Sequence, residues 1–513
     1  MIGPWTEITG AGRRRHPFAA AWLLALTALG STAASLIYGF RQTPPGYSYH
    51  GFIMLSEDGA QYLAAIRQGA QGLLLFHDQF TTRPVPPIFM YPLYMWAGRL
   101  FAPLHLAPAT VFDILHMAAA IGLVTATWVF ARTFAPRNAR VAYAFILFGT
   151  SLALLPIALS DGRAVLPYLT GDLGTMQALL FSPHECAGLA AQALCLVAYH
   201  RLHGLRRATA LLVSLGFLGC AYPFTLPIML AVLAIDTLWN AIDVRRLTPD
   251  ALVILVVLAP LLSLIPAYYW IEFHTVPYWR ESAFLRLPVS HSGVLQWTFG
   301  ALVILALPRL WSRSARPLML WVLVTIIFMV ANVAQPARAS AGLWLPLAVL
   351  AADTVGRLRA PSLRTGLVCC LSASGLLMPF FLSDVVAQNL RYPIFQSQQV
   401  DAVGRYLAAH ANARDVVLAD YEISNMLVGV APVRIVAGHG FQTIDLGTAG
   451  PAQARYPLTS AGERQAIERQ YGVTYLVVAR TERGLVADVA RDRRYRQLYT
   501  NDGYCLYRVE QWS

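Results

Sequence analysis

The chain has 513 residues, of which 57% are hydrophobic and only 13% charged, and a formal net charge of +12. A soluble globular domain carries about 25% Asp, Glu, Lys and Arg, so this composition excludes an ordinary soluble enzyme and a disordered chain, and it predicts an integral membrane protein. Residues 1–396 hold 26 basic and 15 acidic residues, against 13 and 12 in residues 397–513. The positive charge therefore sits in the hydrophobic part, where membrane topology accounts for it without a nucleic-acid partner.

All 39 basic residues are arginine. A chain without lysine cannot form a Schiff base, anchor pyridoxal phosphate or build a Walker P-loop. Cys186, Cys195, Cys220, Cys369 and Cys370 lie in apolar stretches and Cys505 is isolated in the tail. That spacing predicts neither a zinc site nor a disulfide framework.

A span needs about 20 apolar residues. The first is read at 18–40, behind Arg13, Arg14 and Arg15. A cleavable signal peptide is the alternative, but the apolar run is long for one, so it is read as an anchor. Residues 41–108 are rich in proline and aromatics and form a large first loop. Further spans are predicted near 109–131, 139–160, 173–199, 250–272, 292–308, 317–333, 340–356 and 365–386. The run 208–240 reads as two short helices, 208–221 and 223–239, that turn at Tyr222-Pro223, because the residue before proline is biased away from helix. The count is about 11 transmembrane helices, with the N-terminus cytoplasmic and the C-terminus outside.

Arginine placement supports that count. With the first loop external, every cytoplasmic segment carries a cluster: Arg13, Arg14, Arg15; Arg132, Arg137, Arg140; Arg201, Arg206, Arg207; Arg245, Arg246; Arg309, Arg313, Arg316; and Arg357, Arg359, Arg364. These are 17 of the 26 arginines in the membrane part. Counting 87–106 as a span would invert the cluster at Arg132, so that stretch is placed along the external membrane surface.

From about 397 the chain reads as a small extracytoplasmic α/β domain. Helices are predicted at 398–410 and 461–471, and strands at 416–419, 434–437, 474–479, 495–500 and 504–509. Asn501-Asp502-Gly503 is a hairpin turn between the last two. No dinucleotide fingerprint is present.

The strongest chemical signal is Ser56-Glu57-Asp58-Gly59-Ala60-Gln61-Tyr62, which opens a helical stretch running to about Gly69. Two carboxylates at a helix start suit the dipole and serve equally as a cap. The order is an N-terminal span, a large external loop with an acid just past the membrane, many spans, and an external α/β domain. Together with D-G-A-Q-Y-L-A-A-I-R-Q-G-A-Q-G (58–72), it resembles the C-type glycosyltransferase (GT-C) superfamily. F-S-P-H-E (181–185), P-A-R-A-S-A-G-L-W-L-P-L (336–347), V-V-L-A-D-Y-E-I-S-N (416–425), G-H-G-F-Q-T (438–443) and Y-G-V-T-Y-L-V-V (471–478) resemble segments of uncharacterised bacterial branches.

The resemblance implies an inverting transfer of a sugar from a polyprenyl-phosphate donor to a glycan, lipid or protein acceptor outside the cytoplasmic membrane. It gives Asp58 the catalytic position and Arg338 the phosphate contact. Glu57, Tyr62, Asp172, His184, Glu185 and Arg280 are further substrate-binding candidates. The family pattern has Glu after the Asp, whereas here Gly59 follows and Glu57 precedes. Metal dependence is left unknown, a divalent cation being one option. His439 reads as part of a tight loop, and Tyr91, Tyr94, Trp96 and Tyr278 as interfacial aromatics. Buried Asp113, His184, Glu185, Asp236 and Asp353 motivate a different class, a transporter or flippase. A non-catalytic assembly protein on the same scaffold is the third reading.

Overall fold

The computed structural model describes residues 17–49, 56–149, 173–281, 292–312, 315–331, 336–388 and 395–510, with 152, 155 and 159. Six helices are long and apolar enough to cross a membrane by length and composition: Ala19–Arg41, Pro108–Phe134, Gly204–Ala221, Pro223–Asp243, Pro249–Thr275 and Pro361–Pro379. Shorter apolar helices cover Ala139–Phe148, Leu295–Leu310, Arg316–Val330 and Trp344–Gly356. Each lies where a span is predicted. Leu26, Ile304 and Val330 stay exposed on these helices, apolar surface of the kind a bilayer covers. All six cysteines are free.

Two breaks have clear causes, one of them predicted and one not. Tyr222 leaves the helical region (φ −147°, ψ 73°) ahead of Pro223, and helices Gly204–Ala221 and Leu226–Asp243 meet there through a single turn of 3-10 helix. The stretch predicted as one span at 173–199 is two helices, Thr175–Phe181 and Pro183–Arg201, because Ser182 is extended (φ −160°, ψ 149°) before Pro183.

Among the described residues, several loops that carry arginine clusters meet at one end of the bundle, while Arg13, Arg14, Arg15 and Arg313 lie outside the described residues. Arg316 pairs with Asp236 at 2.7 Å, Arg207 with Asp250 at 3.1 Å, and Arg309 with Asp353. Helix Pro108–Phe134 leads from this end, at Arg132, to Phe112, which packs with Tyr62 and Tyr94 at the other. Its 27 residues rise about 40 Å, more than a bilayer core.

At that far end lies the first loop. Helix Ser56–Ala70 crosses helix Pro92–Phe101 at close range. A Cβ on Gly69 would fall 1.9 Å from the Met95 carbonyl oxygen, and one on Gly98 would fall 1.9 Å from that of Ile66, so the crossing requires both glycines. Pro92–Phe101 has ten residues, a rise of about 15 Å, half of what a span needs.

The tail is a five-stranded sheet of order β4-β3-β5-β7-β6, with β3 (Val416–Leu418), β4 (Arg434–Ile435), β5 (Tyr475–Ala479), β6 (Tyr495–Thr500) and β7 (Tyr504–Val509). Strand β3 runs parallel to β4 and β5, while β7 is antiparallel to β5 and β6. Helices Tyr421–Val430, Leu446–Arg455 and Arg483–Arg491 are present in addition to the two predicted.

Side chains on β3, β5 and β7 alternate between two cores. Val416, Leu418, Leu476, Val478 and Tyr507 pack with Tyr456, Ile467 and Val489 of the tail's own helical segments. Val417, Tyr475, Val477 and Leu506 share a core with Ala64, Ile66, Phe76 and Tyr94 of the first loop. The first loop and the tail are thus one apolar unit. A short antiparallel pair, β1 (Tyr47–Tyr49) with β2 (Phe395–Ser397), ties their entry points together.

Candidate active site

The first loop brings its acid to the tail. Asp58 sits in the first turn of helix Ser56–Ala70, where the axial dipole favours a negative charge. Its Oδ1 accepts from His439 Nε2 at 2.8 Å and from Gln61 Nε2 at 3.1 Å. The loop G-H-G-F-Q-T that carries His439 closes on itself. Thr443 N–H donates to the His439 carbonyl at 2.9 Å, and Gly438 N–H donates to Thr443 Oγ1 at 3.1 Å. The Thr443 hydroxyl in turn donates to the Phe80 carbonyl at 2.7 Å, fastening the His439 loop to the first loop.

Phe441 N–H donates to His439 Nδ1 at 3.1 Å. That bond uses the Nδ1 lone pair, so the ring proton resides on Nε2 and points at Asp58. A neutral imidazole therefore holds the carboxylate. Burial alone would raise the Asp58 carboxyl. The hydrogen bond from His439 and the charge of Arg338 outweigh burial and hold it below the ordinary carboxylate range. Asp58 keeps 21% of its side chain exposed, against 3% for His439, so the acid has a free flank.

Behind Asp58 runs a polar network. Gln61 Oε1 accepts from Tyr91 OH at 2.6 Å and from Gln442 Nε2 at 3.0 Å, and Gln442 Nε2 also reaches Tyr91 OH at 2.9 Å. Tyr278 OH lies against both the Gln442 carbonyl and Asp78 Oδ2. Asp78 is buried, and this pushes its carboxyl up to about 6, against the opposing bonds from Phe80 N–H and Tyr278. Tyr91 holds a left-handed conformation (φ 56°, ψ 37°), which costs about 1–2 kcal/mol in an L-residue. The network and the N–H groups of Tyr94 and Met95, which donate to its carbonyl, hold it there. Tyr91, Tyr94 and Tyr278 are thus interior residues, not the interfacial aromatics their composition suggested.

These groups open onto a cavity of about 260 Å³. Its lining includes the polar Asp58, His439, Gln442 and Arg338 and the apolar Phe224, Pro227, Tyr269, Trp270 and Phe328. Tyr62 stacks on Tyr94 at 4.5 Å, and Tyr94 OH bonds His184 Nδ1 at 2.8 Å, so both Tyr62 and His184 line the same space. Arg338, on the short helix Pro336–Ala339, reaches Glu185 Oε1 at 3.5 Å and keeps 23% of its side chain exposed toward the cavity. Glu185 lies behind it, 5% exposed.

Of the sequence candidates, Asp58, Tyr62, His184 and Arg338 meet on this cavity. Glu57 lies outside its wall and accepts from Gly440 N–H at 3.4 Å. Arg280 is exposed on helix Pro277–Glu281, away from the cavity, while its neighbours Tyr278 and Trp279 turn into the core. Asp172 lies outside the described residues. Among the described residues, no group of three or more His, Cys, Asp and Glu side chains is placed to hold a metal ion. The residues that sequence reasoning missed are Gln61, Tyr91 and Gln442, and the contact made by His439.

The chain resembles the crystal structure of ArnT from Cupriavidus metallidurans bound to undecaprenyl phosphate, with a TM-score of 0.51 and 14% identity over 96% of this chain and 98% of that one. The apo-state crystal structure of the same protein gives a TM-score of 0.48 with the same identity and coverage. No protein-family model and no curated protein matches the sequence. Over nearly its whole length this chain therefore has the fold of ArnT.

Proposed function

We propose that this chain is an inverting glycosyltransferase that moves a sugar from a polyprenyl-phosphate donor to an acceptor hydroxyl on the extracytoplasmic side of the cytoplasmic membrane. The observation that carries the reading is the cavity itself. Its lining combines an ionised, partly exposed carboxylate and an arginine with many apolar side chains. An isoprenoid tail suits those apolar side chains, and its phosphate suits the guanidinium fork of Arg338. The likeness to ArnT, crystallised with undecaprenyl phosphate, supports the donor class.

The chemistry needs few parts because the donor is already activated. The acceptor hydroxyl gives its proton to Asp58 as its oxygen attacks the anomeric carbon. The bond from that carbon to the phosphate oxygen breaks on the opposite face, and its electron pair leaves with the polyprenyl phosphate. Arg338 balances the charge that develops there. His439 and Gln61 keep Asp58 ionised and oriented. Asp58→Asn should fold normally and lose sugar transfer from a radiolabelled polyprenyl-phosphate donor; full activity in that variant would remove Asp58 as the base.

The transporter reading has less to stand on. Asp236 and Asp353 are held by Arg316 and by Arg309 with Arg357, and Asp113 is exposed. Transfer by purified protein in detergent, where vectorial movement cannot be scored, separates the two readings.

A further inference from the structure

The segment 76–81 borders a groove of about 670 Å³ between the first loop and the tail, and the groove's wall includes Arg67, Arg83, Arg414 and Arg434. On its other side Phe80 packs 5.6 Å from the ring of His439, which lines the Asp58 cavity. The segment is firmly held. Its Gln79 carbonyl accepts from Ile435 N–H at 3.0 Å beside β4, Gln79 Nε2 donates to the Val433 carbonyl at 3.1 Å, and His77 N–H donates to Gln68 Oε1 at 2.8 Å.

The charges on the groove side are not neutralised. Arg67 donates through Nη2 to Gln79 Oε1 at 2.5 Å and to the Val428 carbonyl at 3.1 Å, and Arg434 donates to the carbonyls of Thr82 and Arg414 at 3.2 and 3.0 Å. Carbonyl and amide oxygens orient a guanidinium without cancelling its charge. Among the described residues neither arginine has a carboxylate partner, and nor does Arg414. Arg83 pairs with Glu281 at 3.0 Å. Three buried nitrogens, Arg67 Nε and Nη1 and Arg434 Nε, meet no protein acceptor. Leaving charged donors shielded and unpaired is costly, so the arrangement is complementary to an anion. Asp78 is the groove's one acid.

We propose that this groove binds an anionic saccharide, the part of the acceptor that carries phosphate or carboxylate groups. The proposal rests on the glycosyltransferase reading for the word acceptor, and its binding test does not. Arg67 follows Asp58 by nine residues on one helix, about 13 Å along its axis, a separation of the order of a few sugars. A single phosphate would fill only a small part of the volume.

The test uses the full-length protein in detergent and calorimetric titration with trigalacturonate, the neutral maltotriose and inorganic phosphate. Trigalacturonate should bind to wild type and to Asp58→Asn alike, and more weakly as ionic strength rises. Arg67→Gln and Arg414→Glu should each weaken it about tenfold, the loss of one charge-assisted bond. Arg414 is exposed, so that variant keeps its fold even if Arg67→Gln does not. Equal binding of maltotriose, or unchanged binding in Arg414→Glu and a folded Arg67→Gln, would overturn the proposal. Inorganic phosphate binding as tightly as trigalacturonate would overturn it in favour of a free-phosphate site. Binding without transfer from any donor defeats the glycosyltransferase reading alone; transfer without binding defeats this one alone.

Discussion

Buried carboxylates occur at both ends of the helix bundle, in opposite chemical settings. At the arginine-rich end, Asp236 is 3% exposed and accepts from Arg316 at 2.7 Å and Tyr199 at 2.8 Å. Each oxygen is bound and the charge is cancelled by a neighbour, so the group is a strut. At the other end, Asp58 is held by a neutral imidazole and an amide, stays ionised, and keeps a flank open to a cavity. Partner chemistry, more than burial, separates a structural acid from a reactive one. The same contrast explains why the intramembrane acids that favoured a transporter on composition lose that force in three dimensions.

The largest expected effect is at the reactive end. Asp58→Asn should lower kcat for sugar transfer by about 10²–10⁴-fold, the usual worth of a general base, with the melting temperature little changed. At the opposite end, Arg316→Gln should leave transfer per folded molecule unchanged. It should cost about 3 kcal/mol in denaturant unfolding because Asp236 remains buried without its cation. An equal loss of transfer in the two variants would erase the distinction between the ends.

Replacing His439 by Ala should reduce transfer about tenfold, the order of one charge-assisted hydrogen bond. It should also move the acidic limb of the pH–rate profile upward, because burial then acts on Asp58 without its main counterweight. A role for His439 in folding alone would leave that limb in place.

The smallest effect concerns Asp78, whose carboxyl is pushed up to about 6. A raised folded value favours the protonated form, so its contribution is full below the unfolded value of about 3.9 and is lost as pH rises through about 6. Asp78→Asn should therefore stabilise the protein at pH 7.5 by about 1–2 kcal/mol and leave it nearly unchanged at pH 4. Asp58 has the reverse sign: its lowered value stabilises above the unfolded value, and that stability is lost as pH falls through the folded one. Thermal unfolding of each variant across this range checks both signs.

What the sequence read correctly depends on near neighbours. Apolar runs and arginine clusters marked the helices and the end where they meet. Tyr222-Pro223 marked a break, and Asn501-Asp502-Gly503 marked the hairpin between β6 and β7. Helix Leu446–Arg455 escaped notice because Gly450 and Pro451 lie inside it, a local preference against helix that packing of Ala449 and Ala452 overrides.

The sequence by itself determined that this is a membrane-embedded chain with an acid at the start of a helix in its first loop. Only the tertiary structure decided what holds that acid. The contact from His439 to Asp58 spans 381 positions, and neither Gly-His-Gly nor any spacing specifies such a pairing. It exists because one face of the tail's sheet is apolar and must be covered, and the first loop covers it. Burying that face brings His439 to Asp58 and gathers four arginines around the groove beside the 76–81 segment.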